Sequence, residues 1–342
     1  MKIKDRNIGT KFYPFVIAEI GINHGGDLNV AKKMVFEAYK SGAECIKHQT
    51  HFVEDEMTME AKEIFPPNAN ESIWDVIEKN SLSKIAEIEL KEYTEKLGMI
   101  YISTPFSRSA ADFLAEIDVP AFKIGSGECT NIPLIRHICK FQKPIIMSTG
   151  MESIENLTKS IKIIEENKIE YALLECTNLY PSPPEYVSLK GISELKKKFP
   201  KAIVGFSDHS IGPHIALSSI ALGACIIERH FTDSYYREGP DISCSMDPNE
   251  LKIIINKSKE IFKACQNFKK RTAPEEAVYK FARGSIVADK DLHKGDLIKE
   301  SDIWARRPGN GDIAALYFDK IIGRKLKNSI KKNIQIKWED LI

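Results

Sequence analysis

The sequence has no apolar run long enough to cross a membrane and no large excess of charge of either sign. No segment approaches the roughly 18 uncharged apolar residues that a spanning helix needs. The N-terminal stretch MKIKDRNIGTKFYPF lacks the apolar core of a signal peptide. The 49 basic and 48 acidic side chains leave a net charge of +1, which gives no electrostatic basis for binding nucleic acid or an anionic bilayer. We therefore expect neither a membrane nor a nucleic acid as a partner.

A disulfide pattern is also missing. The seven cysteines form no Cys-x-x-Cys pair, their number is odd, and several lie inside apolar runs, where they act as small hydrophobic side chains. This usage predicts a protein of the reducing cytoplasm.

What the sequence does contain is a repeated succession of short apolar runs and amphipathic stretches. The runs do not alternate in polarity, which is typical of strands buried on both faces of a parallel sheet. Between them, Asp27 and Ser153 are each predicted to cap a helix, and Gly42 lies just past the end of the first. The eight runs cover residues 14–22, 44–50, 99–106, 121–127, 144–150, 171–178, 202–210 and 224–232.

Eight strands that alternate with helices over about 250 residues predict an α/β fold of the (β/α)8 TIM-barrel type. A doubly wound sheet is disfavoured because Gly21–Gly26 does not match the glycine fingerprint that follows its first strand. We assign residues 1–264 to the barrel, the charged stretch 265–282 to a linker, and residues 283–342 to a small, mostly β domain. So small a domain has little core, and we expect it to dock on the barrel or on a partner subunit.

Each predicted strand ends in a chemically reactive or polar side chain. In a TIM barrel the carboxyl ends of the strands form the active site, so eight such residues in register are difficult to explain by solvation alone. In strand order they are Glu19, Lys47, Thr104, Lys123, Ser148, Asn178, His209 and His230.

His209 and His230 end adjacent strands and could bind one divalent cation, with Glu19 assisting. The alternative is a pair of hydrogen-bonded structural histidines.

In the triplet that ends the last strand, only His230 is predicted to be functional. One of Glu228 and Arg229 is expected to face the helices as an ion-pair partner. Most of the remaining histidines are interpreted as ordinary surface or loop residues, His24 and His48 being candidate exceptions that support the site; the six are His24, His48, His51, His137, His214 and His293.

Lys47 and Lys123 both point toward the predicted barrel mouth. Two ammonium groups in one pocket are unfavourable unless an anion such as phosphate or carboxylate lies between them. The turns Ser126-Gly127 and Ser148-Thr149-Gly150 add hydroxyl and backbone N–H donors beside them. The alternative is that the lysines pair with Glu19 and Glu128.

Motifs along the whole chain resemble bacterial sialic acid synthases (N-acetylneuraminate synthases), and the C-terminal part resembles their antifreeze-like (SAF) domain. The motifs are Ala18-Glu19-Ile20-Gly21-Ile22-Asn23-His24, Lys47-His48-Gln49-Thr50-His51, Ser103-Thr104-Pro105-Phe106-Ser107, Lys123-Ile124-Gly125-Ser126-Gly127-Glu128-Cys129, Cys176-Thr177-Asn178-Leu179-Tyr180-Pro181, Ser207-Asp208-His209, Glu228-Arg229-His230-Phe231-Thr232 and Gly239-Pro240-Asp241.

The resemblance implies condensation of phosphoenolpyruvate with N-acetylmannosamine and water, which releases phosphate. It implies a domain-swapped homodimer and a divalent cation, Mn²⁺ first and Mg²⁺ or Co²⁺ as alternatives, held by His209 and His230. Both histidines and Glu19 would be catalytic, Glu19 as acid–base. The implied phosphoenolpyruvate and phosphate residues are Lys47, Thr104, Lys123, Ser126, Ser148, Asn178 and Ser207, and the implied sugar residues are Glu128, Tyr180, Asp241 and Arg307.

Three functional hypotheses follow. The first is N-acetylneuraminate synthase, which the Lys47–His51 run favours. The second keeps the chemistry but uses a 2,4-diacetamido-trideoxy hexose to make legionaminic or pseudaminic acid. This alternative stays open because Arg283 and the loop Ser210–His214 depart from the sialic pattern where the sugar would be read. The third is a non-catalytic carbohydrate-binding protein.

Overall fold

Eight parallel strands close into a barrel in the computed structural model, which describes residues 1–66 and 70–342. The strands pair in chain order, and the last pairs with the first, so the predicted TIM barrel is confirmed. They are β3 (Phe15–Gly21), β4 (Cys45–Thr50), β5 (Ile100–Pro105), β6 (Phe122–Ile124), β7 (Ile145–Ser148), β8 (Tyr171–Cys176), β9 (Ile203–Asp208) and β10 (Ile226–His230), preceded by a hairpin of β1 (Lys2–Ile3) and β2 (Arg6–Asn7).

The predicted caps begin the helices at both positions. Asp27 accepts the backbone N–H of Asn29, and Ser153 accepts that of Asn156. Gly42, past the end of the first helix, has a φ of +90°, which explains a glycine there. The helices of this region are α1 (Leu28–Lys40), α2 (Val53–Glu56), α3 (Ile73–Asn80), α4 (Lys84–Lys96), α5 (Arg108–Glu116), α6 (Ile132–Cys139), α7 (Ile154–Glu166), α8 (Gly191–Lys198), α9 (His214–Ala221) and α10 (Pro248–Cys265).

Successive residues of each strand serve two different cores. In β3, Val16 and Ala18 pack in the layer between strands and helices, whereas Phe15 and Ile17 pack inside the barrel. Because side chains of a strand alternate between its faces, the inner series of β3 continues from Ile17 to Glu19. The apolar part of each strand thus fills the barrel, and its last inward residues reach the mouth.

The chain divides into two units, Met1–Gln266 and Asn267–Ile342. The second unit has its own core around Ile286, Ile303 and Ile336. Its elements are α11 (Glu276–Ala282), which lies in the segment predicted as a linker, β11 (Ser285–Ala288), β12 (Ile303–Arg306) and α12 (Phe318–Ile321), with β11 and β12 antiparallel. No helix in the described part of the chain is both long and apolar enough to span a bilayer.

Candidate active site

A cavity of about 130 Å³ opens at the carboxyl ends of the barrel strands. All seven residues predicted for phosphoenolpyruvate and phosphate line it, together with His209, His230 and Tyr180. Its lining residues are Lys47, Gln49, Thr104, Phe106, Lys123, Gly125, Ser126, Gly127, Ser148, Cys176, Asn178, Tyr180, Ser207, His209, Glu228 and His230.

Two lysines and two carboxylates form a buried ionic cluster. Lys47, Lys123 and Glu228 line this cavity, whereas Glu19 is buried and is not among its lining residues. Lys47 Nζ lies 2.5 Å from Glu19 Oε2 and 3.8 Å from Glu228 Oε1. Lys123 Nζ lies 3.4 Å from Glu228 Oε1. The side chains carry two positive and two negative charges, so the cluster as a whole is balanced.

The four groups perturb one another in a definite way. Burial raises the pKa of Glu19 although Lys47 opposes the shift, and burial lowers the pKa of Lys123 although Glu228 opposes it. Against the effect of burial, Lys123 and Lys47 lower the pKa of Glu228, and Glu19 and Glu228 raise that of Lys47. Lys47 is therefore held as a cation by two carboxylates, whereas Lys123 is the cation that gains most from an incoming anion.

The ion-pair alternative predicts Glu128 as the partner of Lys123, and this prediction is wrong. Glu128 accepts a hydrogen bond from the Asn131 amide instead, and Glu228 from the opposite side of the barrel takes its place. Glu128 faces away because the strand has already turned into a short 3-10 segment at Ser126–Glu128.

Hydroxyl groups surround the two ammonium groups. Lys47 Nζ donates to Thr104 Oγ1 at 3.1 Å, and Lys123 Nζ donates to Ser148 Oγ at 2.7 Å. The Gly150 N–H donates to Ser126 Oγ at 3.1 Å. Together these groups give a small concave anion site with two cations and several donors.

The two histidines lie side by side at the rim, with ring centroids 5.4 Å apart. His209 Nδ1 donates to the Thr177 carbonyl oxygen at 2.8 Å, which leaves Nε2 free to bind a cation. The buried Nδ1 of His230 has no hydrogen-bond partner among the described residues, and Asp241 Oδ2 lies 3.6 Å from it. The unpartnered Nδ1 of His230 and the remaining ring nitrogen of His209 fit a divalent cation.

Protonation differs between the two rings. Burial, and after it the charge of His209, holds the pKa of His230 well below its usual range. Against the effect of burial, Cys176 and the Thr177 carbonyl raise the pKa of His209 to about 9, so a bound cation would replace a proton on that ring. No group of three or more His, Cys, Asp or Glu side chains within residues 1–66 and 70–342 could hold a metal, so the two imidazoles would leave other coordination positions to substrate or water.

A second cavity of about 280 Å³ adjoins the first and shares Gln49, Phe106, Tyr180 and His230 with it. Asp241 lines this cavity, and burial raises its pKa to about 6 although His209 opposes the shift. One wall is apolar and consists of Ile22, Ile73, Val76 and Ile77. Of the residues predicted for the sugar, Tyr180 and Asp241 therefore line it.

Two predicted sugar residues lie elsewhere. Glu128 is half-buried and lines neither cavity. Arg307 belongs to the second unit, is exposed, and makes no hydrogen bond or ion pair with any described residue. Its neighbour Arg306 bonds to Asp289 and Asn333 instead.

Besides Gly127, which belongs to the predicted Ser126-Gly127 turn, five residues of the first cavity were not predicted: Gln49, Phe106, Gly125, Cys176 and Glu228. Each stands two positions from a predicted residue on the same strand or just past its end, for example Gln49 after Lys47 and Glu228 before His230. Because every second residue of a strand faces the same side, the sequence could have identified these residues from their predicted neighbours. Of the pair Glu228 and Arg229, Arg229 is the residue that faces the helices, where its Nε lies 3.4 Å from Asp208 Oδ2.

The chain matches two protein-family models. A model described as the NeuB family matches residues 34–270, and one described as the SAF domain matches residues 283–342. The chain belongs to the NeuB family. The predicted family resemblance and the predicted SAF domain are therefore confirmed.

Named NeuB-family relatives cover nearly the whole chain. N,N'-diacetyllegionaminic acid synthases from Campylobacter jejuni and Legionella pneumophila are 37% and 34% identical to it, over 93% and 97% of this chain and 97% and 96% of theirs. A crystal structure of N-acetylneuraminic acid (sialic acid) synthetase from Leptospira borgpetersenii superposes with a TM-score of 0.75, at 31% identity over 81% of this chain and 94% of that one. The protein is thus an enzyme of the sialic, legionaminic and pseudaminic acid synthase family, a carbon–carbon bond-forming transferase. This confirms the predicted enzyme class and leaves its acceptor sugar to be decided.

Proposed function

We propose that the protein condenses phosphoenolpyruvate with the open-chain aldehyde of an N-acetylated hexose and water, and releases phosphate and a nine-carbon sugar acid. The observation that carries this proposal is the cavity in which Lys47 and Lys123, flanked by hydroxyls, lie next to the histidine pair. The two lysines and their hydroxyl neighbours fit a phosphoenol group, and the histidine pair fits a polarised aldehyde.

The phosphate would lie between Lys123 and the donors around Ser126, Ser148 and Gly150. Because Glu19 and Glu228 already balance the two lysines, an anionic substrate brings net negative charge into a buried site. A cation at His209 and His230 offsets that charge. The net charge of the occupied site thus supports the divalent metal independently of the free ring nitrogens.

Mn²⁺ is the cation we propose, with Mg²⁺ and Co²⁺ as alternatives, held by His209 and His230. When bound, it would supply Lewis-acid polarisation of the sugar aldehyde. Both imidazoles would also orient the aldehyde toward the enol carbon, and Tyr180, whose ring centroid lies 4.2 Å from that of His209, would exclude water from that side.

The bond changes follow from these positions. C3 of phosphoenolpyruvate attacks the aldehyde carbon, so the aldehyde oxygen becomes an alkoxide and C2 takes on positive character. A water molecule adds at C2, and the proton it releases is passed on to the alkoxide. Glu19 accepts the proton of that water, which its raised pKa favours. The resulting adduct collapses with cleavage of the C2–O bond, and Lys47 and Lys123 stabilise the departing phosphate.

Two acceptors are proposed. N-acetylmannosamine is the acceptor that the sequence predicts. A 2,4-diacetamido-trideoxy hexose is favoured by the two legionaminic acid synthase relatives and by the apolar wall of the second cavity. That sugar carries a methyl group where N-acetylmannosamine carries a hydroxymethyl group, and an acetamido group where it carries a hydroxyl. Methyl groups gain free energy against Ile73 and Val76, whereas unpaired hydroxyls lose it.

An acceptor panel tests the function. The purified full chain is incubated with phosphoenolpyruvate, Mn²⁺ and each sugar, and released phosphate and product mass are measured. Phosphate release with N-acetylmannosamine alone would select the first acceptor, and release with the diacetamido sugar alone would select the second. Release with none of them, from a folded protein, would overturn the proposal.

The metal assignment is tested separately. Chelated enzyme is titrated with Mn²⁺, and the His209→Ala and His230→Ala variants are compared with it. We expect both variants to lose tight Mn²⁺ binding as measured by calorimetry in the absence of substrate. Unchanged Mn²⁺ affinity in both variants would remove these histidines as ligands.

A further inference from the structure

His51 is not the ordinary surface residue that its sequence position suggests. It follows β4 directly, its exposure is only 5%, and its ring stacks on Phe106 with centroids 4.3 Å apart and planes 14° apart. Both ring nitrogens have partners. Nδ1 lies 2.8 Å from Glu56 Oε2, and Nε2 lies 3.1 Å from Gln49 Oε1.

The Gln49 amide connects His51 to the active site. Its Nε2 donates to Glu19 Oε1 at 3.0 Å, while Lys47 holds the other oxygen of Glu19. The backbone makes room for this contact, since a Cβ on Gly21 would come within 2.9 Å of Glu19 Oε1 and 3.0 Å of Gln49 Nε2. Glu56, His51, Gln49 and Glu19 therefore form one continuous chain of contacts.

Donor and acceptor chemistry fixes the direction of the chain. An amide that donates to Glu19 through Nε2 presents its Oε1 to His51, so His51 must donate through Nε2. A carboxylate offers only acceptors, so a second proton lies between Nδ1 and Glu56. If Gln49 turned over, its oxygen would face the Glu19 carboxylate, which is unfavourable. His51 is the group that prevents this.

Glu56 is itself anchored. The preceding residue, Asp55, accepts the backbone N–H of Ser109 at 2.8 Å through Oδ2, which ties the short helix α2 to the beginning of α5. The chain of contacts thus starts at Glu56, which lines the second cavity as His51 does, and ends on the candidate acid–base residue.

We propose that His51 is a positioning residue for Glu19, acting through Gln49 and held by Glu56. This inference rests on the proposed function, because it assumes that Glu19 moves the proton of the attacking water. The Nε2–H donor of His51 is the feature that matters, not the bulk of the ring.

Two variants separate the donor from the ring. His51→Phe keeps the stacking on Phe106 but removes both ring nitrogens. His51→Gln removes the ring but places an amide donor near the position of Nε2. We expect His51→Phe to lower kcat about tenfold, the size of one lost hydrogen bond, with the KM for phosphoenolpyruvate within about twofold, and His51→Gln to retain most of the wild-type kcat. A role in packing alone predicts the reverse order.

His137 gives a matched control. Its Nε2 lies 2.6 Å from Asp112 Oδ1, and its ring contacts Phe141 edge-on at 5.4 Å, away from both cavities. His137→Phe and His137→Gln should leave kcat unchanged. A His51→Phe enzyme with wild-type kcat, or a His51→Gln enzyme slower than His51→Phe, would overturn the inference.

A spectroscopic readout keeps the test independent of activity. The sequence has four glutamines, Gln49, Gln142, Gln266 and Gln335, so glutamine-labelled protein gives few side-chain amide signals. We expect His51→Phe to speed the hydrogen exchange of the Gln49 amide, and His51→Gln to leave that exchange near the wild-type rate. If the wild-type protein condenses none of the sugars, the proposed function fails while this measurement still decides the hydrogen-bond chain. An unchanged exchange rate of the Gln49 amide in His51→Phe would overturn it.

Discussion

His24 and His48 form a buried pair whose protonation is dictated by their neighbours. The Gly26 N–H donates to His24 Nδ1 at 3.1 Å, so His24 must donate through Nε2 to His48 Nε2, 3.1 Å away. His48 Nδ1 then faces Glu87 Oε1 at 3.3 Å. No position is left for a further proton on His24, and burial followed by His48 lowers its pKa to about 3.

This arrangement predicts a loss of stability in mild acid. Because the unfolded chain takes up a proton on His24 near pH 6.5 and the folded chain does not, stability is complete above that pH. It falls as the pH decreases toward the folded pKa of about 3. Between pH 7 and pH 5 the loss from this residue should be about 2 kcal/mol.

Chemical unfolding of wild type and His24→Gln at the two pH values measures it. We expect the free energy of unfolding of the variant to be lower at pH 7 but less dependent on pH. An equal pH dependence in both proteins would contradict the role assigned to His24.

Arg229 is a second residue whose partners define its role. It is one of the largest fully buried side chains, and it donates to the backbone carbonyls of Ser210 and Gly212 and pairs with Asp208. Arg229→Met should therefore destabilise the protein by about 3 kcal/mol or more, because it leaves the buried Asp208 unpaired. Chemical unfolding of Arg229→Met, Asp208→Asn and the double variant checks this, and the double variant should be less destabilised than the sum of the two.

At the scale of elements, the period of the strands made most of the site predictable. Strand bodies, caps and the inward series ending in Glu19, Lys47 and His230 all follow from residue order. The partner of Lys123 does not, because β6 and β10 are distant in sequence and meet only across the interior of the closed barrel. The role of His51 was also beyond prediction, since it depends on α2, a short helix with no buried residues and hence no apolar pattern.

The turn after β7 allows a prediction about the phosphate site. A Cβ on Gly150 would lie 1.9 Å from Asn178 Oδ1 and 2.9 Å from Ser126 Oγ, so Gly150→Ala must displace two cavity residues. We expect the KM for phosphoenolpyruvate to rise at least about tenfold, which corresponds to the lower part of the usual cost of overpacking.

Gly127 provides the comparison within the same cavity. A Cβ added there meets nothing within 4 Å, so Gly127→Ala should change the KM much less than Gly150→Ala does. Steady-state kinetics with the acceptor held at saturation compares the two. Equal values of KM in Gly150→Ala and wild type would show that these residues do not hold the phosphate.

At the scale of the whole molecule, the open question is which barrel each Arg307 serves. The barrel and the small unit have separate cores, and the exposed Arg307 has no partner among the described residues. We propose that the protein is a domain-swapped homodimer in which Arg307 of one copy binds the sugar in the barrel of the other. Arg307→Ala should then weaken sugar affinity while phosphoenolpyruvate affinity is kept.

Mixed dimers test the swap directly. Lys47→Ala removes a lysine from the phosphate site but leaves the small unit intact, whereas Arg307→Ala changes the small unit but leaves the barrel intact. Each variant alone should be nearly inactive at low sugar concentration. Coexpression should restore about a quarter of the wild-type rate, because half of randomly paired dimers are mixed and each has one barrel that combines an intact Lys47 with an intact Arg307. If Arg307 instead serves the barrel of its own copy, no mixed dimer contains a complete site, and the rate of the mixture stays at that of the separate variants.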